Sequence, residues 1–134
     1  MSQSKSIVGT WRLRTYEVWT AQGQVSFPLG ESPVGFAVFD ETGHAFIQLA
    51  RAIDPHSGSL NLEAVRETLA SSFSAYFGTY TVNTNGTRLS IQVQGSNRAA
   101  YVGSIQERAI SIAQDTLTMG QPDQYRAVLD RQQS

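Results

Sequence analysis

Short segments of alternating apolar and polar residues, separated by tight-turn sequences, fill most of this chain. The clearest turn is Asn85-Gly86, a pair strongly favoured in two-residue hairpin loops, and Asp40-Glu41-Thr42-Gly43 is a second hairpin turn that ends in glycine. Segments joined in this way pair as antiparallel strands, and the sequence predicts about eight to ten of them. An open sheet of that size would expose two edges, so we expect the strands to close into a barrel.

The predicted strands are rich in valine, isoleucine, threonine and aromatic residues, which favour extended structure. They cover residues 9–20, 34–40, 44–50, 75–82, 88–94, 99–108, 110–113, 116–119 and 125–129. In the first strand, strict alternation places Trp11, Glu17 and Trp19 on one face and Tyr16 on the other.

Residues 61–73 depart from this pattern, because they contain neither proline nor glycine and their apolar residues recur at helical spacing. The apolar stripe consists of Leu62, Val65, Leu69 and Phe73. The predicted fold class is therefore all-β, a closed antiparallel up-and-down barrel with one short helix near residues 61–73. The helix either packs on the barrel or forms a lid over a cavity.

Composition restricts the possible functions of the chain. It has 134 residues and no cysteine, which excludes disulfides, thiolate nucleophiles and cysteine-based zinc sites. Ten basic and 11 acidic residues give a net charge of −1 without a basic stripe, so we expect no nucleic-acid partner. No segment is apolar enough to span a membrane or to serve as a signal peptide. We therefore expect one cytoplasmic domain over residues 1–134, with residues 1–6 disordered, as a monomer or a homodimer.

Few residues suit catalysis. The histidines, His44 and His56, lack metal-ligand spacing, and we expect neither a metal site nor a cofactor. His44 begins a strand and becomes an acid–base candidate if its face lines the interior, whereas a surface histidine at a hairpin end is the alternative. Glu17 and Tyr80 are the other catalytic candidates, on the same condition that they point inward.

Large side chains with polar tips are unusually frequent on the predicted strands. Tyrosine and tryptophan combine an apolar body with a hydrogen-bonding tip, and small-molecule sites are mostly apolar with a few polar groups. The candidate ligand-binding residues are Trp19, Gln48, Tyr76, Tyr80, Gln92 and Arg108. The alternative is that these side chains pack within the fold or point to water.

The start of the first strand resembles a known signature. Gly9-Thr10-Trp11 is similar to the Gly-x-Trp motif of the lipocalin superfamily, in which the tryptophan closes the barrel floor beneath a basic side chain, here Arg126 or Arg131. Similarity to the small bacterial and fungal lipocalin-like domain proteins extends from about Val8 to Arg131, and its most specific block is Tyr76-Phe77-Gly78-Thr79-Tyr80.

The resemblance implies a barrel that binds a small, largely apolar molecule. Similar small barrels are also thought to guide cyclisation or isomerisation, so the alternative is a cofactor-free cyclase or isomerase that acts on a small biosynthetic intermediate in the same cavity. A packed barrel without a ligand is the third interpretation.

Overall fold

The computed structural model of the protein describes residues 6–52, 63 and 73–133. The strands are β1 (Gly9–Trp19), β2 (Val25–Ser26), β3 (Val34–Phe39), β4 (His44–Ala50), β5 (Phe73–Val82), β6 (Arg88–Ser96), β7 (Ile105–Ala113), β8 (Thr116–Gln121) and β9 (Tyr125–Arg131). A short 3-10 helix, η1 (Ala99–Tyr101), lies between β6 and β7.

Strand β1 closes the sheet into a barrel because it pairs with two strands that are distant in sequence. Its residues Gly9–Arg12 pair with β3, and its residues Trp11–Val18 pair with β9. From β3 to β9 each strand pairs antiparallel with the next, and β2 is a short addition to the end of β1. The predicted closed antiparallel barrel is confirmed, with eight strands in the barrel wall and β2 outside it.

Both predicted hairpin turns are present. Gly43, between β3 and β4, has φ of +93°, and Gly86, between β5 and β6, has φ of +72°. These left-handed conformations are readily adopted only by glycine, which is why the sequence signals at these positions were informative.

The sequence prediction was wrong between residues 99 and 113. It expected strands over 99–108 and 110–113, whereas Ala99–Tyr101 forms η1 and a single strand, β7, runs from Ile105 to Ala113. A turn separates the two elements, because the N–H of Ser104 donates to the carbonyl of Tyr101 over 2.9 Å.

Two other expectations concern parts of the chain that are mostly not described. Of the helix predicted over residues 61–73, the structure describes Glu63, which is helical, and Phe73, which begins β5; the remainder lies outside the described residues. The expectation of disorder over residues 1–6 likewise lies outside them, except at Ser6.

A β-bulge interrupts the regular pairing of β1 with β9. Leu13 pairs with Leu129, and Thr15 pairs with the next residue of β9, Val128. Arg14 is therefore an extra residue in β1 without an opposite partner. One extra residue reverses the inward and outward alternation for the rest of the strand.

The bulge determines which side chains of β1 enter the barrel. Before it, Trp11 points inward; after it, Tyr16 and Val18 point inward and line the interior. The prediction that Glu17 and Trp19 share the face of Trp11 is wrong, because it assumed uninterrupted alternation. Both side chains lie on the outer wall.

One end of the barrel is filled by the protein's own side chains. The large residues with less than 2% exposure in this region are Trp11, Phe39, Leu89, Leu117 and Leu129. The indole N–H of Trp11 donates to the carbonyl of Ile7 over 2.8 Å, and the guanidinium of Arg131 lies 4.2 Å from the ring centroid. Of the two basic residues that the resemblance proposed as a cover for Trp11, the structure selects Arg131. This end is the closed end of the barrel.

We expect Trp11→Phe to lower the free energy of unfolding by about 2–3 kcal/mol, because it removes a buried hydrogen bond and leaves part of the indole volume empty. The matched control is Trp19→Phe on the outer wall of the same strand, with an expected change of about 0.5 kcal/mol or less. Urea denaturation of both variants measures the difference. Equal losses of stability in the two variants would show that Trp11 contributes no more to stability at the closed end than Trp19 does on the outer wall.

Candidate functional site

The other end of the barrel contains a cavity. Its volume is about 250 Å³, and it lies among the ends of the strands opposite Trp11. Its described lining consists of Tyr16, Val18, Pro28, Leu29, Ile47, Leu49, Phe73, Ser74, Tyr76, Arg98, Tyr101, Arg108, Met119, Tyr125 and Ala127. The lining is mainly aliphatic and aromatic, with tyrosine hydroxyls and two guanidinium groups as its most polar members. We call this end the open end.

Four tyrosines form the polar part of the wall. The rings of Tyr76 and Tyr101 meet edge to face with centroids 5.5 Å apart, and those of Tyr16 and Tyr125 are tilted with centroids 6.0 Å apart. Burial raises the pKa of the Tyr16, Tyr76 and Tyr125 hydroxyls above the ordinary value of tyrosine. These phenols therefore remain protonated at neutral pH and act as hydrogen-bond donors rather than as bases.

Arg108 on β7 contributes a buried positive charge. The residue is only 9% exposed. Its Nη1 donates to the Glu107 carbonyl over 3.0 Å, and its Nη2 donates to Oε1 of Gln106 over 3.1 Å. Burial by itself would lower the pKa of Arg108, but the nearby tyrosines, with Tyr76 foremost, raise it overall. The side chain is therefore a permanent cation on the cavity wall.

A chain of hydrogen bonds fixes this part of the wall. The Nε2 group of Gln106 donates to the Ser104 hydroxyl over 2.8 Å, and that hydroxyl donates to the Tyr101 carbonyl over 2.5 Å. The guanidinium of Arg108 also lies 5.4 Å from the ring centroid of Tyr125. Because Gln106 contacts Arg108 as well, the cation is held by β7 and by the turn after η1 together.

The loop between β2 and β3 covers part of the open end. Leu29 on this loop is buried, with 7% exposure, and lines the cavity. The loop is attached to the barrel by Arg51, whose Nη2 donates to the carbonyl of Pro28 over 2.9 Å. Arg98 is exposed and lies at the rim, so the cavity has one buried and one accessible cation.

The structure brings together two of the candidate ligand-binding residues, Tyr76 and Arg108, on the wall of the cavity. Gln48 and Gln92 are exposed and lie on the outer face of their strands, next to buried neighbours that point inward. Trp19 also lies outside, where the guanidinium of Arg126 is 5.3 Å from its ring centroid.

The catalytic candidates lie elsewhere. Glu17 on the outer wall accepts a hydrogen bond from Nη2 of Arg126 over 2.7 Å. His44 and Tyr80 meet at the closed end around the turn that contains Asp40. The Tyr80 hydroxyl donates to the Asp40 carbonyl over 2.8 Å, and Nδ1 of His44 is 2.9 Å from the Thr42 hydroxyl.

This turn at the closed end is a structural motif. The Asp40 carboxylate accepts the backbone N–H of His44 over 2.8 Å and that of Thr42 over 3.0 Å. These hydrogen bonds hold the pKa of Asp40 below its ordinary value, and the bond from the His44 N–H has the largest effect. Tyr80 also packs edge to face on Phe39, with centroids 5.2 Å apart. The group secures the β3–β4 hairpin and lies at the opposite end from the cavity.

Sequence reasoning did not include Tyr16, Tyr101, Tyr125 or Arg98 among the site residues. Tyr125 was detectable, because Tyr125, Ala127 and Leu129 alternate with the more polar outer residues of β9. Tyr16 was hidden by the bulge in β1, which gives no signal in the sequence. Tyr101 and Arg98 lie in and beside a 3-10 turn that was predicted as extended structure.

A second depression lies on the outer wall. It has a volume of about 590 Å³ and includes Trp19, Gly120, Pro122 and Arg126 in its lining. It is larger than the cavity but is shallower, and its arginine is already paired with Glu17. The deeper cavity at the open end, whose buried arginine forms no ion pair with any described residue, is therefore the better candidate site.

Two further findings concern the described part of the chain. No three histidine, aspartate or glutamate side chains within residues 6–52, 63 and 73–133 are grouped so that they would hold a metal ion. Over the same residues, no helix has the length and apolar character needed to cross a lipid bilayer.

Comparison with known proteins assigns the family. The sequence profile of the lipocalin-like domain matches residues 8–134, which is nearly the whole chain. The protein belongs to the lipocalin-like domain family. No curated protein matches the chain.

The tyrosine hydroxyls offer a test of the cavity wall. Among the described residues, the buried Tyr125 hydroxyl has no hydrogen-bond partner, whereas the Tyr80 hydroxyl is bonded to Asp40. We expect Tyr80→Phe to lower the free energy of unfolding by about 0.5–1.5 kcal/mol. We expect Tyr125→Phe to change it by less than about 0.5 kcal/mol. Urea denaturation of the two variants tests this, and a larger loss for Tyr125→Phe would contradict the unpaired hydroxyl.

Stability should also fall at alkaline pH. Because burial raises the pKa of Tyr16, Tyr76 and Tyr125, the unfolded chain releases these protons first, and stability is lost as pH rises above about 10. Urea denaturation at pH 8 and pH 10.5 measures the loss. Tyr125→Phe should show a smaller loss than the wild-type protein, and an identical loss would exclude Tyr125 as a source.

Proposed function

We propose that this protein binds a small, largely apolar molecule in the cavity at the open end of its barrel. The observation that carries the proposal is the difference between the two ends. The closed end is filled with aliphatic and aromatic side chains, whereas the open end keeps about 250 Å³ that no described side chain occupies. An unfilled space deprives its walls of van der Waals contacts, and a bound molecule would restore them.

The chemistry of the wall supports an apolar ligand. Val18, Leu29, Ile47, Leu49 and Met119 offer aliphatic surface, and the tyrosine rings extend it. Burial of apolar surface stabilises a complex by about 25 cal/mol per Å². A few polar groups on such a wall orient the ligand rather than dominate its binding.

Binding is favoured over the cyclase or isomerase alternative by the positions of the acid–base candidates. Glu17 and His44 lie on the outside, and the Tyr80 hydroxyl is occupied at the closed end. Among the described residues, the cavity lining contains no carboxylate and no imidazole. A proton transfer would therefore fall to phenols that burial keeps protonated, which suits hydrogen bonding better than base catalysis.

A matched pair of substitutions on β9 tests the proposal. Ala127 is 2% exposed and points into the cavity, whereas the next residue, Val128, belongs to the outer face. We expect Ala127→Phe to weaken binding of the neutral fluorophore N-phenyl-1-naphthylamine by about 30-fold, which corresponds to about 2 kcal/mol of lost apolar contact. Val128→Phe should bind the fluorophore as the wild-type protein does.

Fluorescence titration measures both affinities, and thermal unfolding confirms that both variants are folded. Equal affinities of Ala127→Phe and Val128→Phe would place binding outside the cavity. The proposed function is rejected if the wild-type protein does not bind the fluorophore and if calorimetry detects no binding of other apolar molecules.

A further inference from the structure

Resting on the proposed function, we infer that the ligand of the cavity is a singly charged organic anion, an apolar body that ends in a carboxylate or similar oxyanion, and that Arg108 receives the anionic group. The inference concerns the charge and orientation of the ligand, which the binding proposal leaves open. It is carried by the surroundings of Arg108, by the tyrosine hydroxyls near it, and by the distribution of carboxylates over the protein.

Arg108 is a buried cation without a buried counter-ion in the described structure. Its hydrogen-bond partners are the Glu107 carbonyl, the Gln106 amide oxygen and the Tyr76 hydroxyl, and all three are uncharged. The side chain of Glu107 turns to the outer face and contacts Arg88 at 3.3 Å. A buried charge is costly unless an opposite charge accompanies it. An anionic ligand would supply that opposite charge for as long as it is bound.

Carboxylates are confined to the outside of the described barrel. The ion pairs with arginine are Glu17–Arg126, Asp130–Arg14, Glu107–Arg88 and Asp115–Arg131. Over the described residues, the cavity wall includes Arg98 and Arg108 but no acidic side chain. The described wall of the cavity is therefore positively charged although the whole chain has a net charge of −1.

The tyrosines add neutral donors to this charge. Four tyrosines that line the cavity interact electrostatically with Arg108, namely Tyr16, Tyr76, Tyr101 and Tyr125. The buried Tyr125 hydroxyl has no partner among the described residues, so it retains a proton to donate. A guanidinium beside phenol hydroxyls matches an oxyanion, whose oxygens accept hydrogen bonds from both.

Other ligand charges fit less well. On the described wall of the cavity, an ammonium group would meet two guanidinium groups and no carboxylate. A neutral alcohol would accept a hydrogen bond from Arg108 but would not compensate its charge. Arg98 is exposed at the rim, where a cation attracts anions from solution and raises their rate of entry. The volume, about that of eight water molecules, suits a compact or medium-chain ligand.

Three ligands that share one alkyl chain test the charge. Decanoate, decan-1-ol and decylamine compete with N-phenyl-1-naphthylamine for the wild-type protein at pH 7, below the critical micelle concentrations of the two charged compounds and below the solubility limit of decan-1-ol. We expect decanoate to bind about tenfold to hundredfold more tightly than decan-1-ol, as is typical of a hydrogen bond to a charged group. Decylamine should bind most weakly of the three.

Substitutions then locate the anionic group. Arg108→Gln should remove most of the preference for decanoate and leave the affinity for decan-1-ol within about threefold, since it removes the charge and keeps polar contacts. Arg88→Gln, which removes an outer arginine, is the matched control and should behave as the wild-type protein. Arg98→Gln should slow association, detected by stopped-flow fluorescence, while it preserves most of the preference.

The outcomes separate the two proposals. If the neutral fluorophore and decan-1-ol bind but decanoate shows no advantage, the charge inference is wrong and the proposed function stands. If none of these compounds binds, both fail. If the preference survives in Arg108→Gln and disappears in Arg98→Gln, the assignment to Arg108 is overturned. If Arg108→Gln does not fold, the wild-type ranking still decides the charge of the ligand.

Discussion

The double pairing of β1 holds the whole structure together. Its first four residues pair with β3 and most of its length pairs with β9, so a chain that otherwise forms a simple meander becomes a closed cylinder. Closure removes the free edges of an eight-stranded sheet and encloses an interior just wide enough for side chains or one small ligand. The bulge between Leu13 and Thr15 lies within this pairing, and it turns Tyr16 inward and Glu17 outward.

The two ends of the barrel interior differ in how completely they are packed. At the closed end, Trp11 is fully buried, and Arg131 covers it while bonding the carbonyls of Ser6 and Val8 over 2.7 and 2.9 Å. At the open end, the wall of phenols and aliphatic side chains surrounds a space that the described chain does not fill. The packed end holds the cylinder in shape, and at the open end the Tyr125 hydroxyl has no hydrogen-bond partner among the described residues.

Charge follows the same division. Ion pairs occupy the outer wall, where water screens them and each contributes little to stability. The cavity holds Arg108, a cation whose bonded acceptors are neutral. A protein with a net charge of −1 can therefore have a positively charged cavity wall over its described residues, and its amino-acid composition does not show this.

The sequence was sufficient to predict the barrel. Strand alternation and the turns at Gly43 and Gly86 are local patterns that can be recognised without coordinates, and Gly9-Thr10-Trp11 supplied the family resemblance. The sequence named Tyr76 and Arg108 as candidate ligand-binding residues without saying which strand face is interior, and the structure places both at buried positions of β5 and β7.

Which polar side chains meet depends on the β1 bulge and on strand register, and neither could be predicted from local sequence. Glu17 and Trp19 left the interior because a bulge with no sequence signal reversed the second half of β1. His44 and Tyr80 lie far from the cavity because antiparallel order places their ends of β4 and β5 at the closed end. Tyr76, Arg108 and Tyr125 come from three different strands and meet at the open end. The direction of a side chain is a local property that alternation predicts, but its depth along the barrel and its neighbours depend on strand register, which forms only when distant segments pair.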